Sequence, residues 1–219
     1  MRTAIVVPAK GTSTRVKNKN LYKIKGKTLV RRACEKILDC KAIEGKYLDT
    51  EDQGIMQDCT DLTSRGLQIL RRPVELANNF IGANELIAFA LHSIPHCELL
   101  LQTFSTSPTI GAATIDRCIE HFLSNRKDED SFLTVISMQE YFWNNKNEPI
   151  NFDLQILPNS FELEPIFMET HGLYGIFTET FLKKKTRIGY KPMLIEIPKL
   201  EAFDIDTAED IEIVERLVD

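Results

Sequence analysis

Short apolar runs alternate with helical repeats along most of this chain, and that alternation restricts its fold more than any other feature. Residues 4–8 form an apolar run that ends at a proline, and residues 28–39 follow with apolar side chains at helical spacing. Residues 98–102 contain three consecutive leucines, as in strands that are buried on both faces. The repeated pattern predicts a three-layer α/β/α fold with a mostly parallel sheet, and ligands at the carboxyl ends of its strands.

The alternation weakens over residues 140–170, which contain prolines, few helical repeats and Trp143 near their start. We interpret this stretch as a hairpin-like excursion from a single domain that covers residues 1–219. The strand pattern resumes over residues 172–177, and residues 207–218 are predicted to close the chain as an amphipathic helix.

Composition is typical of a globular protein, with 43% hydrophobic and 27% charged residues among 219. The longest apolar runs are far too short to cross a membrane, and no secretory signal pattern begins the sequence. The five cysteines have no metal-ligand spacing, so we interpret them as reduced thiols. These observations predict a cytoplasmic protein with no membrane partner.

Charge is distributed unevenly although the net charge is only −5. Residues 1–32 contain ten Lys or Arg and no acid, whereas residues 196–219 contain nine acids and two bases. Nucleic-acid binding would favour interleaved aromatic residues, and Tyr22 alone is present in the basic stretch, so we expect no nucleic-acid partner. A basic loop that faces an acidic segment suits a polyphosphate with its metal ion, and a solvated charged surface is the alternative.

The loop after the first predicted strand, residues 9–20, offers the groups that bind a triphosphate. It combines Gly11, which permits close backbone approach, with Ser13 and four Lys or Arg side chains. The loop is not a Walker A motif, because the Gly-Lys-Ser/Thr ending is absent at the required spacing.

An acidic pair precedes the last predicted helix. If that segment is extended, Asp204 and Asp206 lie on the same side of the chain, where two carboxylates can hold one Mg²⁺ that bridges nucleotide phosphates. For an isolated Asp-x-Asp the alternative is a turn in which Asp206 or Thr207 simply caps the helix.

These segments resemble the signatures of the acylneuraminate cytidylyltransferase family. The loop is similar to the family's Pro-Ala-Arg-Gly-Gly-Ser-Lys segment and its later Lys-Asn pair, with Lys10 in place of the usual Arg, and Asp-Ile-Asp-Thr is similar to its C-terminal signature. The resemblance implies a Rossmann-like nucleotide-diphospho-sugar transferase fold, catalytic roles for Lys10, Lys19, Asp204 and Asp206, and Mg²⁺ on the two aspartates. It also implies nucleotide contacts from Ala9, Lys10, Gly11, Ser13, Lys19, Asn20 and Arg72.

On the acceptor side the resemblance is looser. Gln102 ends a segment similar to the family's Leu-Leu-Gln-Pro-Thr-Ser-Pro, which implies a contact to the sugar from Gln102 and Thr106, but the loop between them is two residues longer. His171 precedes the predicted strand 172–177 and is either a polar contact to the acceptor or a structural residue. Residues 158–165, where the family carries Arg for the acceptor carboxylate, contain no Lys or Arg.

The cation that binds the acceptor carboxylate must therefore come from elsewhere in the protein. The candidates are Lys146, or Arg187 and Lys191, or a dimer partner. The resemblance implies a homodimeric, CTP-dependent enzyme that activates an acidic sugar, with the 140–170 excursion at the dimer interface. Two other functions stay open at this point, a glycosyltransferase that uses a nucleotide sugar and a non-catalytic paralogue that binds nucleotides.

Overall fold

The computed structural model describes residues 1–13 and 18–218, so residues 14–17 of the basic loop and Asp219 lie outside the description. The described strands and α-helices follow one another in the alternating order that the sequence predicts. In chain order they are β1 (Thr3–Pro8), β2 (Lys23–Ile24), β3 (Lys27–Thr28), α1 (Leu29–Asp39), β4 (Gly45–Thr50), α2 (Gln53–Cys59), β5 (Leu67–Arg71), α3 (Ala83–Ser93), β6 (Leu99–Thr103), α4 (Ala112–Asn125), β7 (Ser131–Met138), β8 (Ile166–Phe177), α5 (Thr178–Lys184), β9 (Pro192–Glu196) and α6 (Ala208–Leu217).

Seven strands form one sheet in the order β5-β4-β1-β6-β8-β7-β9, and β2 pairs with β3 in a separate hairpin. β8 runs antiparallel to both of its neighbours, and the other neighbouring strands of the sheet are parallel. β1 and β6 lie at the centre with every residue buried. The prediction of a mostly parallel sheet is confirmed, and the carboxyl ends of β1, β4, β5 and β6 meet at one edge of it.

Helices cover both faces of the sheet, which confirms the three layers. The buried side chains of α1, α2 and α4 pack against one face in the largest apolar cluster. Those of α3 and α5 pack against the other face in a second cluster. Because strand side chains alternate between faces, Leu101 faces α4 whereas Leu100 faces α3.

The helix termini next to the basic and acidic segments are fixed by their own side chains. The Thr28 hydroxyl accepts a hydrogen bond from the Arg31 amide at 3.1 Å, which caps α1. The Thr207 hydroxyl accepts from the Asp210 amide at 3.3 Å and caps α6. α6 then packs on α1 and β2 through a small apolar cluster that includes fully buried Ile205, so the acidic segment is held beside the basic loop.

Two sequence predictions need correction. The strand predicted at residues 172–177 begins earlier, at Ile166, because β8 continues past a register shift between Leu133 and Val135 of β7. His171 has a positive φ of 56° at this irregularity, which explains why the alternation of burial breaks there. The excursion ends earlier than predicted, because residues 166–170 belong to β8. Its hairpin-like part lies at residues 142–150, where Trp143 bridges Pro149 and the Ile150 amide donates to the Phe142 carbonyl at 2.8 Å.

α5 was not predicted, since its seven residues are too few for a helical repeat to show. All five cysteines are free and buried, as expected of reduced thiols. Over residues 1–13 and 18–218, no helix has the length and apolar character needed to cross a membrane.

Candidate active site

A cavity of about 200 Å³ opens where β1, β5 and β6 end. Its walls come from the loop after β1, from the turn that follows β5, from α3 and from the loop after β6. Such a position at the carboxyl ends of parallel strands is where α/β folds bind ligands. Among the residues singled out from the sequence, those that line the cavity are Lys10, Ser13, Lys19, Asn20, Arg72 and Thr106.

The loop after β1 is fastened to the segment that follows β4. The buried Ala9 donates its amide hydrogen to the Asp49 carbonyl at 2.9 Å, and the Gly11 amide donates to Glu51 Oε1 at 2.7 Å. A Cβ atom on Gly11 would lie 2.2 Å from Asp52 Oδ2, so any other residue there would force the Asp52 side chain to move. The glycine does allow a group to approach its backbone closely. In this structure that group is the Asp52 carboxylate, whereas the sequence suggested a phosphate.

Asn20 joins the two loops that flank the cavity. Its Nδ2 donates to the Lys10 carbonyl at 2.7 Å, and its Oδ1 accepts from the Ser105 hydroxyl at 2.5 Å. Ser105 lies in the two-residue extension of the loop after β6, and sequence reasoning treated that extension only as a departure from the family pattern. Lys10 Nζ donates to Asn79 Oδ1 at 2.6 Å across the mouth of the cavity.

Lys19 connects the basic loop to the acidic segment near the other end of the chain. Its Nζ donates to the Ile205 carbonyl at 2.5 Å and lies 3.3 Å from Asp206 Oδ1. Ile205 is fully buried, while its neighbours Asp204 and Asp206 are partly exposed, so both carboxylates are on the side away from the apolar cluster. The Ser107 hydroxyl donates to Asp204 Oδ1 at 3.3 Å. The predicted meeting of cations and carboxylates is therefore present.

The donor set of the acidic pair fits a magnesium ion. Mg²⁺ prefers oxygen ligands and usually takes one or two carboxylates together with substrate phosphates and water. Within the described part of the chain, no group of three or more His, Cys, Asp or Glu is placed to hold a metal ion. Asp204 and Asp206 offer two carboxylates of the kind that Mg²⁺ accepts, and magnesium itself stays a prediction.

Arg72 lies in the cavity wall but forms a buried ion pair. Its guanidinium donates from Nε to Asp49 Oδ1 at 2.8 Å and from Nη2 to Asp49 Oδ2 at 2.9 Å. The two side chains are 2% and 1% exposed. Burial raises the pKa of the Asp49 carboxyl, and the hydrogen bonds from Arg72 oppose that shift. The geometry gives Arg72 a structural role that the sequence did not indicate, and its contact to a nucleotide stays a prediction.

Gln102 is a buried polar side chain with unused hydrogen-bonding capacity. It is 1% exposed, and within the described residues neither its Oε1 nor its Nε2 has a hydrogen-bond partner. In the sheet it pairs with Val6 of β1 and with Tyr174 of β8. Phe104, two residues further along the chain, lines the cavity. A buried amide without a hydrogen-bond partner costs folding free energy. A ligand that paired with the Gln102 amide would recover that cost.

A cluster of polar and aromatic side chains is built on β8, next to Gln102 in the sheet. The Tyr174 hydroxyl donates to Glu169 Oε1, and the Arg187 guanidinium carbon lies 3.6 Å from the centre of the Tyr174 ring. Burial, assisted by the hydrogen bond to Glu169, raises the pKa of Tyr174 well above its usual range, so the hydroxyl stays protonated. His171 is 57% exposed, with Nε2 3.8 Å from Glu169 Oε1.

The three lysine and arginine candidates for the missing cation differ in position. Lys191 pairs with Asp128 on the surface, and Lys146 is exposed in the turn between Trp143 and Pro149. Arg187 alone of the three contacts the β8 cluster. Sequence reasoning had named it only as one alternative, because its loop position carries no motif.

The comparison with family models decides the identity. The model described as cytidylyltransferase matches residues 4–217, which is nearly the whole chain. The chain belongs to the cytidylyltransferase family. The resemblance in the loop after β1 and in the Asp204–Asp206 segment is thus confirmed at the level of the family, and so is the assignment of the chain as an enzyme of the nucleotidyltransferase class.

This cytidylyltransferase is similar at low identity to curated proteins. It is 19% identical over 223 residues to a pseudaminic acid cytidylyltransferase of Campylobacter jejuni, a match that covers 97% of this chain and 94% of that protein. It is 19% identical over 216 residues to an N-acylneuraminate cytidylyltransferase of Streptococcus agalactiae, a match that covers 96% of this chain and 52% of that protein. It therefore spans about half the length of the second relative.

A solved structure shows the same fold. The cytidylyltransferase superposes on CMP:2-keto-3-deoxy-manno-octonic acid synthetase complexed with CTP with a TM-score of 0.69 and 14% identity. The superposition covers 99% of this chain and 98% of the other. The predicted Rossmann-like nucleotidyltransferase fold is confirmed.

Proposed function

We propose that this cytidylyltransferase transfers the CMP group of CTP to a hydroxyl of an acidic sugar and releases pyrophosphate. The observation that carries the proposal is the junction of Lys19 with the Ile205–Asp206 segment beside the cavity. Lys10 and Lys19 line the cavity, and Lys19 brings the Asp206 carboxylate next to it, so cations for the phosphates and a carboxylate for a metal ion lie close together.

The proposed reaction is an in-line displacement. The anomeric hydroxyl oxygen of the acceptor forms a bond to the α-phosphorus of CTP, and the bond from that phosphorus to the oxygen of the β-phosphate breaks. The electron pair leaves with pyrophosphate, and the hydroxyl proton passes to water. Such chemistry depends on positioning and on neutralising charge more than on covalent catalysis.

The residues of the basic loop would bind and orient the triphosphate. Lys19 has both of its observed partners on the acidic segment and is 12% exposed, so its charge is held in place before the substrate arrives. Lys10 and Ser13 line the cavity and would contact the phosphates, while Ala9 and Gly11 fix the loop that carries them. Asn20 would keep the two loops at the distance that admits the nucleotide.

Asp204 and Asp206 would hold Mg²⁺, which would neutralise part of the phosphate charge. We expect Asp206→Asn to raise the Mg²⁺ concentration needed for half-maximal rate by about tenfold or more, because one anionic ligand is lost. Glu209→Gln, an exposed change in the first turn of α6, is the control. Equal Mg²⁺ titrations for wild type and Asp206→Asn would refute the assignment.

The acceptor is proposed to be an acid because both curated relatives and the superposed structure are named for acidic sugars. Gln102, Thr106 and His171 would contact it. Of these, Gln102 carries the most weight, since it is buried and, within the described residues, lacks a hydrogen-bond partner.

A pyrophosphate-release assay with each of the four NTPs and with three acids tests the proposal. The acids are N-acetylneuraminic acid, pseudaminic acid and 3-deoxy-manno-octulosonate. We expect release with CTP and at least one acid, and no release when the acid is omitted. Release from CTP without any acceptor, or with no dependence on the base, would refute the proposal.

The protein is further proposed to act as a homodimer in the cytoplasm, with free cysteines that suit a reducing compartment. The excursion at residues 140–170 exposes Trp143, Ile156 and Phe161 by 50%, 74% and 74%, which is unusual for one short segment. A second copy of this chain would cover them. We expect Phe161→Asp to convert a dimer into a monomer in analytical ultracentrifugation, whereas Leu182→Asp in α5 should not. A monomeric wild type would refute the dimer.

A further inference from the structure

Arg187 is a cation set beside the acceptor side of the cleft on a loop that no family motif marks. It follows α5, and its backbone amide donates to Asn84 Oδ1 of α3 at 2.7 Å. This bond ties the loop to the helix that forms one wall of the nucleotide cavity. The guanidinium is thereby placed over β8, on the same face of the sheet as Gln102 and Tyr174.

The guanidinium of Arg187 has little of its charge neutralised by this chain. Its nearest described acid is Glu169, with Nη2 to Oε1 at 3.5 Å, and the side chain is 19% exposed. The other contacts are to aromatic faces, 3.6 Å from the Tyr174 centroid and 5.9 Å from the Phe104 centroid. Stacking fixes the plane of the group and leaves its N–H edge able to bind a carboxylate in bidentate fashion.

The neighbours of Arg187 link it to the nucleotide cavity. Phe104, which it contacts, also lines that cavity, and Tyr174 pairs with Gln102 in the sheet. The guanidinium and the partnerless buried amide of Gln102 therefore lie near neighbouring positions on one face of the sheet, and Arg187 itself lines a small cavity of about 320 Å³ together with Ala83 and Asn84 of α3. A sugar carboxylate there would meet Arg187, and the sugar hydroxyls would be within the range of neutral donors and acceptors.

We infer that Arg187 binds the carboxylate of the acceptor and makes the enzyme selective for acids, an inference that rests on the proposed function. The incoming carboxylate replaces the long contact to Glu169 with two charge-assisted hydrogen bonds. A neutral sugar cannot do so and leaves the guanidinium without a close anion. Selectivity then comes from a residue outside the segment at 158–165, where this chain has no Lys or Arg.

The inference is tested by steady-state kinetics of Arg187→Met. The acceptor is the acid that gives the highest rate with wild type in the pyrophosphate-release assay. We expect the acceptor KM to rise about 10- to 100-fold, as when a charged hydrogen-bonding partner is removed, with the CTP KM changed less than about twofold. Arg187→Lys should recover part of the loss, since it keeps the charge without the bidentate edge. Lys191→Met, which removes a surface cation four residues away, is the matched control.

A second arm removes the carboxylate from the substrate. Replacing the acid by its carboxamide should reduce the activity of wild type about as much as the Arg187→Met substitution reduces activity toward the acid. The same replacement should reduce the activity of Arg187→Met only a little further, because the interaction is already lost. An unchanged acceptor KM in Arg187→Met, or an equal rise in both KM values, overturns the inference and leaves the proposed function intact. A wild type that releases no pyrophosphate with CTP and any acid refutes the proposed function, and the role of Arg187 with it.

Discussion

Two arginines lie on opposite sides of α3, each in the lining of a cavity that this helix also lines, and their surroundings differ. Arg72, next to the nucleotide cavity, is 2% exposed and donates three hydrogen bonds to Asp49, two to its carboxylate and one to its carbonyl. Arg187, stacked on Tyr174 of β8, is 19% exposed and has a 3.5 Å contact to Glu169 as its closest ion pair among the described residues. The first arginine is a structural element of the wall, and the second is available to a ligand.

The comparison shows that the type of a residue does not reveal whether its charge is free. A buried guanidinium with a bidentate carboxylate has its charge balanced within the chain, and separating the pair would strand an ion in a dry environment. A guanidinium stacked on a tyrosine ring keeps its charge and its orientation. The availability of each charge is decided by its partner, and the partners come from distant parts of the sequence.

The largest expected effect is a difference in the free energy of unfolding between variants of the two arginines. Arg72→Met should lower the free energy of unfolding by about 3–5 kcal/mol, because Asp49 would stay buried without a partner. Arg187→Met should lower it by about 1 kcal/mol or less, since only a partly exposed stacking contact is lost. Urea unfolding of both variants measures the difference.

The double variant Asp49→Asn with Arg72→Met serves as the control for that difference. Removing both charges should recover much of the loss, since no uncompensated ion remains. Equal destabilisation by Arg72→Met and Arg187→Met would contradict the distinction between a structural and an available arginine.

A smaller effect is expected from the lysine that connects the ends of the chain. Lys19→Met should lower kcat by about 100- to 1,000-fold, because its preorganised charge acts on the phosphates in the transition state. The CTP KM should change much less than kcat. Lys23→Met, an exposed change in β2, should retain full activity. A rise in KM with kcat unchanged would mean that Lys19 only binds the nucleotide.

The smallest effect concerns the loop that carries these cations. In Gly11→Ala the new Cβ would displace the Asp52 side chain, whose Oδ1 accepts from the Ile55 amide at 2.9 Å and caps α2. Loss of such a cap costs about 0.5–2 kcal/mol in thermal or urea unfolding. In the background of Asp52→Gly, where both the cap and the Asp52 Cβ at 2.9 Å are already removed, Gly11→Ala should cost little more. Additive losses would show that the glycine serves another purpose.

The sequence predicted the contact between the basic loop and the acidic segment better than the contacts around β8, for physical reasons. Lys19 and Asp206 follow a strand and precede a helix, and the parallel fold brings such positions to one edge of the sheet. Arg187 and Glu169 meet only because β8 is longer than its apolar pattern and bends at His171.

The pairing of Arg72 with Asp49 was also invisible in the sequence. The two residues lie at the ends of neighbouring parallel strands, β4 and β5, so their contact depends on the register between those strands. Ser105 lies in a loop extension whose role became clear only from its bond to Asn20. Contacts of this kind need coordinates, whereas the placement of whole segments follows from the alternation of strands and helices.

The mass of the product formed from CTP and an acid tests the central claim most directly. We expect one compound in which CMP is joined to the acceptor, formed in equal amount with pyrophosphate and absent when either substrate is omitted. Free CMP with no acceptor attached, or a product formed equally well from a neutral sugar, would contradict it.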